Sequence, residues 1–207
     1  MHITSSKLIH DCSSHGRTWL GIHELEYNHK DHHGRYFMVT RGKEIVPPNQ
    51  KKPDAVVIIA KYPLESGENS LILTWEHRIP VGDKELGFPA GLIDDKDYIV
   101  DGIRTNDVKL AAMRAAVREM KEETGLDFTP TECSPSNLYS SAGLTNESII
   151  YVFGIAKGDL NYNRQEIGED ITVIFATKDD IDDLVKKETC HSKSAWPFLW
   201  HFSQVGL

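Results

Sequence analysis

The chain has 207 residues, 40% hydrophobic, 26% charged and 9% aromatic, with 31 acidic against 23 basic side chains and a formal charge of −8. That is globular composition, long enough for one sizeable core or a core with a small satellite unit. Only 15 Gly and 9 Pro exclude collagen-like and low-complexity classes. No basic face advertises a nucleic-acid partner. No apolar run approaches the roughly 20 residues a bilayer demands, and Met1 to His10 lacks the apolar stretch of a secretory leader. Cys12, Cys133 and Cys190 are widely spaced, the pattern of reduced intracellular thiols. The expectation is a soluble protein of the cytoplasm, with the nucleus left open, and no membrane or nucleic-acid partner.

In chain order, Thr18 to Tyr27 and Arg35 to Arg41 are expected strands joined by a polar turn, Asn28 to Gly34. Pro47-Pro48 and Pro53 mark a boundary between a small N-terminal β unit, residues 1–50, and the main domain, residues 51–207. Asp54 to Ala60 and Leu71 to Glu76 are β-branched or apolar strands around the turn Glu65-Ser66-Gly67-Glu68. A loop, Gly87-Phe88-Pro89-Ala90-Gly91, precedes a helix from Asn106 or Asp107 to Thr124, stopped by Gly125. Its apolar stripe is Leu110, Met113, Val117 and Met120. Ser148 to Ile155 and Ile171 to Ala176 are further strands, and Lys178 to Lys187 and Ser194 to Ser203 closing helices. Strands around a central helix predict an α+β or α/β/α sandwich.

The chemistry concentrates in Arg118-Glu119-Met120-Lys121-Glu122-Glu123-Thr124-Gly125-Leu126. Helical spacing puts Glu119, Glu122 and Glu123 on one face. Like charges at that spacing repel by a few tenths of a kcal/mol per pair, and the C-terminal end of a helix disfavours anions as well. Such a face is either solvated surface or a cation site. The carboxylates lie beside the apolar stripe, at the edge of the expected core, and their hard oxygens suit Mg²⁺ or Mn²⁺ better than zinc.

The segment resembles the Nudix signature: Gly, five residues, Glu, seven residues, then Arg-Glu-aliphatic-x-Glu-Glu-x-Gly-aliphatic. Gly91 and Arg118 to Leu126 match it. Glu85 to Asp95 is similar to the E-x-PAGLID stretch of the ADP-ribose and ADP-sugar pyrophosphatase branch, Glu76 to Gly82 to its Q-x-R-x-P-x-G segment, and Ser140 to Glu147 to its S-P-G-x-T/S-x-E loop, with Ala142 in place of Pro. There is one departure. Arg118 follows Gly91 by 27 residues, thirteen more than the signature allows. The signature's first Glu then falls on Asp97 counted forward or Leu110 counted back; Asp97 and Asp107 are the candidate substitutes for its structural role. Tyr98 to Asn106 is expected to be a lengthened surface loop.

The resemblance implies a Nudix α/β/α sandwich with a mixed sheet, preceded by a small β unit used for dimerisation and base recognition. It implies Mg²⁺ (Mn²⁺ as substitute) held by Glu119, Glu122, Glu123 and the Ala90 carbonyl, with Arg118 orienting the glutamates. It implies a general base in Gln165 to Asp170, Glu169 first and Glu166 second. Trp19 and Tyr36 match the aromatic pair that sandwiches the base. Gly91 and Leu92 would approach the diphosphate, and Arg41 and Arg78 could contact phosphate through their guanidinium forks. The implied reaction is hydrolysis of ADP-ribose or a related ADP-sugar to AMP and a sugar phosphate by a homodimer. Alternatives are a Nudix pyrophosphatase for another nucleoside diphosphate derivative, or a non-catalytic Nudix domain that senses ADP-ribose.

Overall fold

The computed structural model describes residues 2–14, 17–47, 49–135, 137–165, 170–186 and 191–205. The chain divides into two compact units, Met1–Asp54 with Asn137–Ile149, and Ala55–Ser136 with Ile150–Leu207.

The first unit is an antiparallel meander of β1 (His2–Ser14), β2 (Arg17–His29) and β3 (His32–Arg41). The turn is shorter than the sequence suggested: His29 pairs with His32 directly, across Lys30-Asp31. Strand β1 was not expected at all. Its residues carry no apolar face, and among those described all are exposed or half-buried, so burial left no alternation to read. The unit's buried residues include Leu25, Thr40 and His23, whose ring nitrogen lies 2.9 Å from the Thr40 hydroxyl. Residues 137–149 close onto the unit's third strand: the Val39 amide donates to the Leu144 carbonyl at 2.9 Å, and the Tyr36 hydroxyl to the Gly143 carbonyl at 2.5 Å.

The second unit is built on a sheet ordered β10 (Asp127–Cys133), β12 (Ser148–Lys157), β4 (Ala55–Pro63), β5 (Asn69–Arg78) and β13 (Ile171–Ala176). Short β6 (Asp83–Gly87) pairs with β5 and β7 (Ala90–Leu92) with β4; within residues 137–149 of the first unit, β11 (Leu138–Tyr139) pairs with Ile149 and Ser148 at the start of β12. Three of the five residues of the expected Gly87–Gly91 loop are therefore strand, with Phe88-Pro89 as the link.

Residue parity shows the layers. Val56, Ile58 and Ala60 of β4, Ile72 of β5, and Ile150 and Val152 of β12 share one core cluster with helix α1 (Val108–Glu123). Tyr151, of opposite parity, packs on Phe198 of helix α3 (Trp196–Val205), ring centroids 5.0 Å apart, and Phe198 also meets Phe88. Helix α2 (Lys178–Leu184) buries Ile181 and Leu184. Helices on both faces of a sheet make this the expected α+β sandwich. Among the described residues no helix is long and apolar enough to cross a membrane.

Helix α1 begins where its sequence says. Asp107 accepts a hydrogen bond from the Leu110 amide at 3.0 Å, an N-cap contributing about 1 kcal/mol, and Gly125, at φ +79°, terminates the helix. The buried face is a correction, however. Ala111, Ala112, Ala115, Ala116 and Met120 pack inward, while Leu110 and Val117 are 38% and 40% exposed. A helix lying close on a sheet has room for methyl groups, and the larger side chains are turned to the flank.

The expected surface loop, Tyr98 to Asn106, is also more ordered than that, together with the turn that leads into it. Asp95–Tyr98 forms a 3-10 turn with Asp97 and Tyr98 buried, and β8 (Ile99–Val100) and β9 (Ile103–Arg104) make a small hairpin turning at Asp101-Gly102.

Candidate active site

The site is organised around Arg118, on the third turn of α1. Its guanidinium spends every nitrogen. Nε and Nη2 fork onto the Asp97 carboxylate at 3.3 and 2.9 Å, and Nη2 also donates to the Leu92 carbonyl at 2.8 Å. Nη1 donates to Glu119 at 2.6 Å and Glu122 at 2.9 Å. These bonds tie the insertion, strand β7 and the acidic face of α1 to one cation. Asp97 is buried and Arg118 largely so. Such a pair does little for net stability, but removing one partner strands a buried charge at about 3–5 kcal/mol.

That geometry decides between the two candidate substitutes for the missing glutamate. Asp107 is occupied as the helix N-cap. Asp97 holds the arginine, from the position reached by counting forward from Gly91. It has its own brace, because the Asp94 amide donates to its carboxylate at 2.8 Å and Arg114 Nε to its carbonyl at 3.1 Å.

Gly91 sits where β7 passes α1, and a Cβ there would overlap the Glu119 carboxyl. The glycine leaves the space that the glutamate fills. Burial pushes the Glu119 pKa up to about 7; the Arg118 cation opposes the rise and the Glu122 and Asp94 charges add to it. Burial alone would lower the Arg118 pKa, but Asp97, Glu119 and Glu122 together hold it well above its ordinary value. Glu119 is thus a carboxylate kept short of solvation, which a bound cation would relieve.

Glu119 and Glu122 point to a common position, now occupied by an arginine nitrogen. Their hard oxygens, with the Ala90 carbonyl on β7 as the expected further donor, are the chemistry Mg²⁺ or Mn²⁺ prefers. Glu123 is buried at the end of the helix, and Gln165 donates to its backbone carbonyl at 2.9 Å. Among the described residues no three His, Cys, Asp or Glu side chains already stand in a metal-holding group. The donor set fits a divalent cation through two side chains that presently clasp a guanidinium.

The other expected site residues are divided between the two units. Arg78 is held by Glu76 at 2.6 Å and Glu85 at 3.2 Å. In the first unit Arg41 pairs with Glu147 at 2.6 Å. Burial would raise the Glu147 pKa, but the Arg41 cation and the Ser140 hydroxyl outweigh it and leave it lowered. Both arginines expected at phosphate are therefore neutralised by carboxylates.

Trp19 and Tyr36 are each 44% exposed, but at different points of the β2–β3 hairpin. Trp19 accepts from the Gly42 amide, whereas Tyr36 pairs with Leu25. Six residues of strand separate those positions, about 20 Å along the backbone, so the two residues are not neighbours in the hairpin. Glu169 and Glu166, the expected bases, lie outside the described residues. Sequence reasoning missed the Leu92 carbonyl as an arginine ligand; backbone acceptors leave no residue-type signal.

No family model matches the chain. Among curated proteins it is 28% identical over 149 residues to a Caenorhabditis elegans protein named as a nudix hydrolase, covering 72% of this chain and 60% of that protein. It is 31% identical over 136 residues to the ADP-sugar pyrophosphatase of Mus musculus, covering 63% of this chain and 56% of the relative. It is 33% identical over 96 residues to an uncharacterized Nudix hydrolase of Schizosaccharomyces pombe, covering 46% and 40%. The chain therefore spans between two fifths and three fifths of the length of these relatives. Among solved structures, that of an ADP compounds hydrolase superposes with a TM-score of 0.57 at 15% identity, covering 100% of this chain and 96% of the other. The family resemblance is borne out: the chain is similar in sequence to Nudix hydrolases, an ADP-sugar pyrophosphatase among them, and shares the fold of a hydrolase of ADP compounds.

Proposed function

We propose that the chain is a cytoplasmic Nudix hydrolase that cleaves the diphosphate of ADP-ribose or a related ADP-sugar, with Mg²⁺, to AMP and a sugar phosphate. The observation that carries this reading is the convergence of Glu119 and Glu122 on one arginine nitrogen beside Gly91. The similarity to an ADP-sugar pyrophosphatase supports the substrate class.

In this mechanism Asp97 and the Leu92 carbonyl hold Arg118 in place, and Arg118 sets the directions of Glu119 and Glu122. Those carboxylates, with Glu123 and the Ala90 carbonyl as further donors, would hold the cation. A divalent cation there neutralises diphosphate charge and aids in-line attack by water. Water adds to one phosphorus, the bridging P–O bond breaks, and the leaving phosphate takes the electron pair. The proton passes to a carboxylate of the 166–169 segment, Glu169 in this proposal. Gly91 and Leu92 line the approach, and Arg78 and Arg41 reach phosphate by exchanging their present carboxylate partners for it. Trp19 and Tyr36 grip the base from two copies of the chain, in a homodimer in which the N-terminal meander serves recognition.

The test is a panel of ADP-sugars and other nucleoside diphosphate derivatives incubated with Mg²⁺, with both products identified by mass. AMP and ribose 5-phosphate from ADP-ribose support the proposal. Preferred turnover of a non-adenine diphosphate would assign the site to another nucleotide. Binding of ADP-ribose without products would make the domain a sensor. Trp19→Ala should raise KM for ADP-ribose by about tenfold, a stacked base contributing about 1–3 kcal/mol. An equal rise for a diphosphate without a base would contradict stacking.

A further inference from the structure

Helix α1 carries features that the proposed hydrolysis does not use. Leu110, Met113 and Val117 recur on one flank at helical spacing, yet the sheet is packed mainly by the alanine face: Met113 reaches the core only in part, and Leu110 and Val117 stay exposed. These three side chains floor a cavity of about 630 Å³, bounded by Lys96 and Asp97 of the 3-10 turn, Arg114 and Arg118 of the helix and Pro130 of β10. That volume is typical of a small-molecule site, and its walls are mostly apolar with a few polar groups at the edge.

The edge carries unbalanced charge. Arg118, at one end of the cavity, is neutralised by Asp97, Glu119 and Glu122. Lys96 faces Asp94 at 3.5 Å. Arg114 is different: its Nε is anchored on the Asp97 carbonyl at 3.1 Å, and its two terminal nitrogens meet no acceptor among the described residues. An anchored guanidinium presents its remaining donors as a fixed fork, which suits the two oxygens of a carboxylate. One free cation above an apolar floor balances one negative charge. The neighbouring Asp94 and Asp97 would repel a dianion such as a phosphate monoester.

From this geometry we infer that the cavity binds a small amphipathic monocarboxylate, its apolar body on Leu110, Met113 and Val117 and its carboxylate on Arg114. The cavity adjoins the proposed metal position, since Asp97 and Arg118 also line it, but the carboxylate rests on Arg114, and its binding is read without any turnover of ADP-sugars.

The experiment is titration of the full chain with octanoate, followed by ligand-observed NMR and calorimetry, with octan-1-ol as the uncharged control. The expected result is saturable 1:1 binding of octanoate and about tenfold weaker binding of octan-1-ol. Arg114→Gln should weaken octanoate by about tenfold, a hydrogen-bonded charge being lost. Val117→Asp, which puts an anion into the floor, should abolish binding. Both residues are exposed, and an unchanged Tm verifies that the variants fold. Absence of saturable octanoate binding would overturn the inference, as would octan-1-ol binding equally well or indifference to both substitutions. Loss of self-association in Val117→Asp, without an effect on octanoate, would identify a second copy of the chain as the occupant and overturn it too.

Discussion

Two flanks of one helix differ in a way that reverses the usual rule of burial. On one, α1 holds Arg118 and Glu119 largely away from solvent, with Asp97 buried against them. On the neighbouring one, Leu110 and Val117 stand open beside Arg114, whose terminal nitrogens meet no acceptor among the described residues. Charge is buried where apolar side chains would be more stable, and apolar surface is exposed where charge would be cheaper. Folding alone asks for neither, and departures of this kind concentrate where binding or catalysis is performed. The alanine face satisfies the fold, which frees the rest of the helix surface for other uses.

The sharpest way to break this contrast is Glu122→Gln. It keeps the side chain's shape and removes a metal-holding charge, so kcat should fall by about a thousandfold, about 4 kcal/mol, with Tm nearly unchanged. Wild-type kcat at saturating Mg²⁺ would show that the acidic flank is only surface. Next in size, Asp97→Ala should destabilise the chain by about 3 kcal/mol, because Arg118 loses its buried partner. Asp107→Ala should cost about 1 kcal/mol as a lost N-cap and leave turnover alone. Equal losses in chemical denaturation would refute the assignment of Asp97 as the arginine's partner.

The inner face offers a smaller test. Ala115→Leu should cost about 2 kcal/mol by overpacking against the sheet, whereas Leu110→Ala, on the exposed flank, should cost less than about 1 kcal/mol. The reverse order in thermal melts would restore the larger residues to the core.

The smallest effect is a pH dependence. Burial raises the Glu119 pKa from its ordinary value of 4.5 to about 7. Between those pH values the folded chain binds more protons than the unfolded one, so this group's contribution to stability falls as pH rises through the window. Glu119→Gln should therefore gain about 1 kcal/mol over wild type at pH 8, discounted for partial exposure, and nothing below about pH 4. Mg²⁺ requires the ionised carboxylate, so its affinity should climb with pH up to about 7 and then level off. Affinity flat across that range would count against Glu119 as a ligand.

How much of this was legible before the structure varies with the kind of signal. Helix α1 was readable to within a residue or two because Asp107 and Gly125 punctuate it, and β13 because Ile171 to Ala176 is uninterrupted and β-branched. The Arg-Glu-x-x-Glu-Glu pattern marked the site because the residue types and spacing carry the chemistry themselves. What stayed hidden had no such signature. Strand β1 has no buried face, and the alanine face was masked by larger neighbours at the same period. The choice between Asp97 and Asp107 needed the path of the insertion, which returns Asp97 to Arg118 across 21 residues. The separation of Trp19 from Tyr36 follows from hairpin register, which neither residue announces.

The most direct measurement is an anomalous-difference map from crystals soaked with Mn²⁺ and a non-hydrolysable ADP-sugar analogue. The account predicts a peak ligated by Glu119 and Glu122, with Arg118 withdrawn onto Asp97 and the Leu92 carbonyl. A bound nucleotide with no peak beside those two carboxylates, and Arg118 still clasping both, would contradict it.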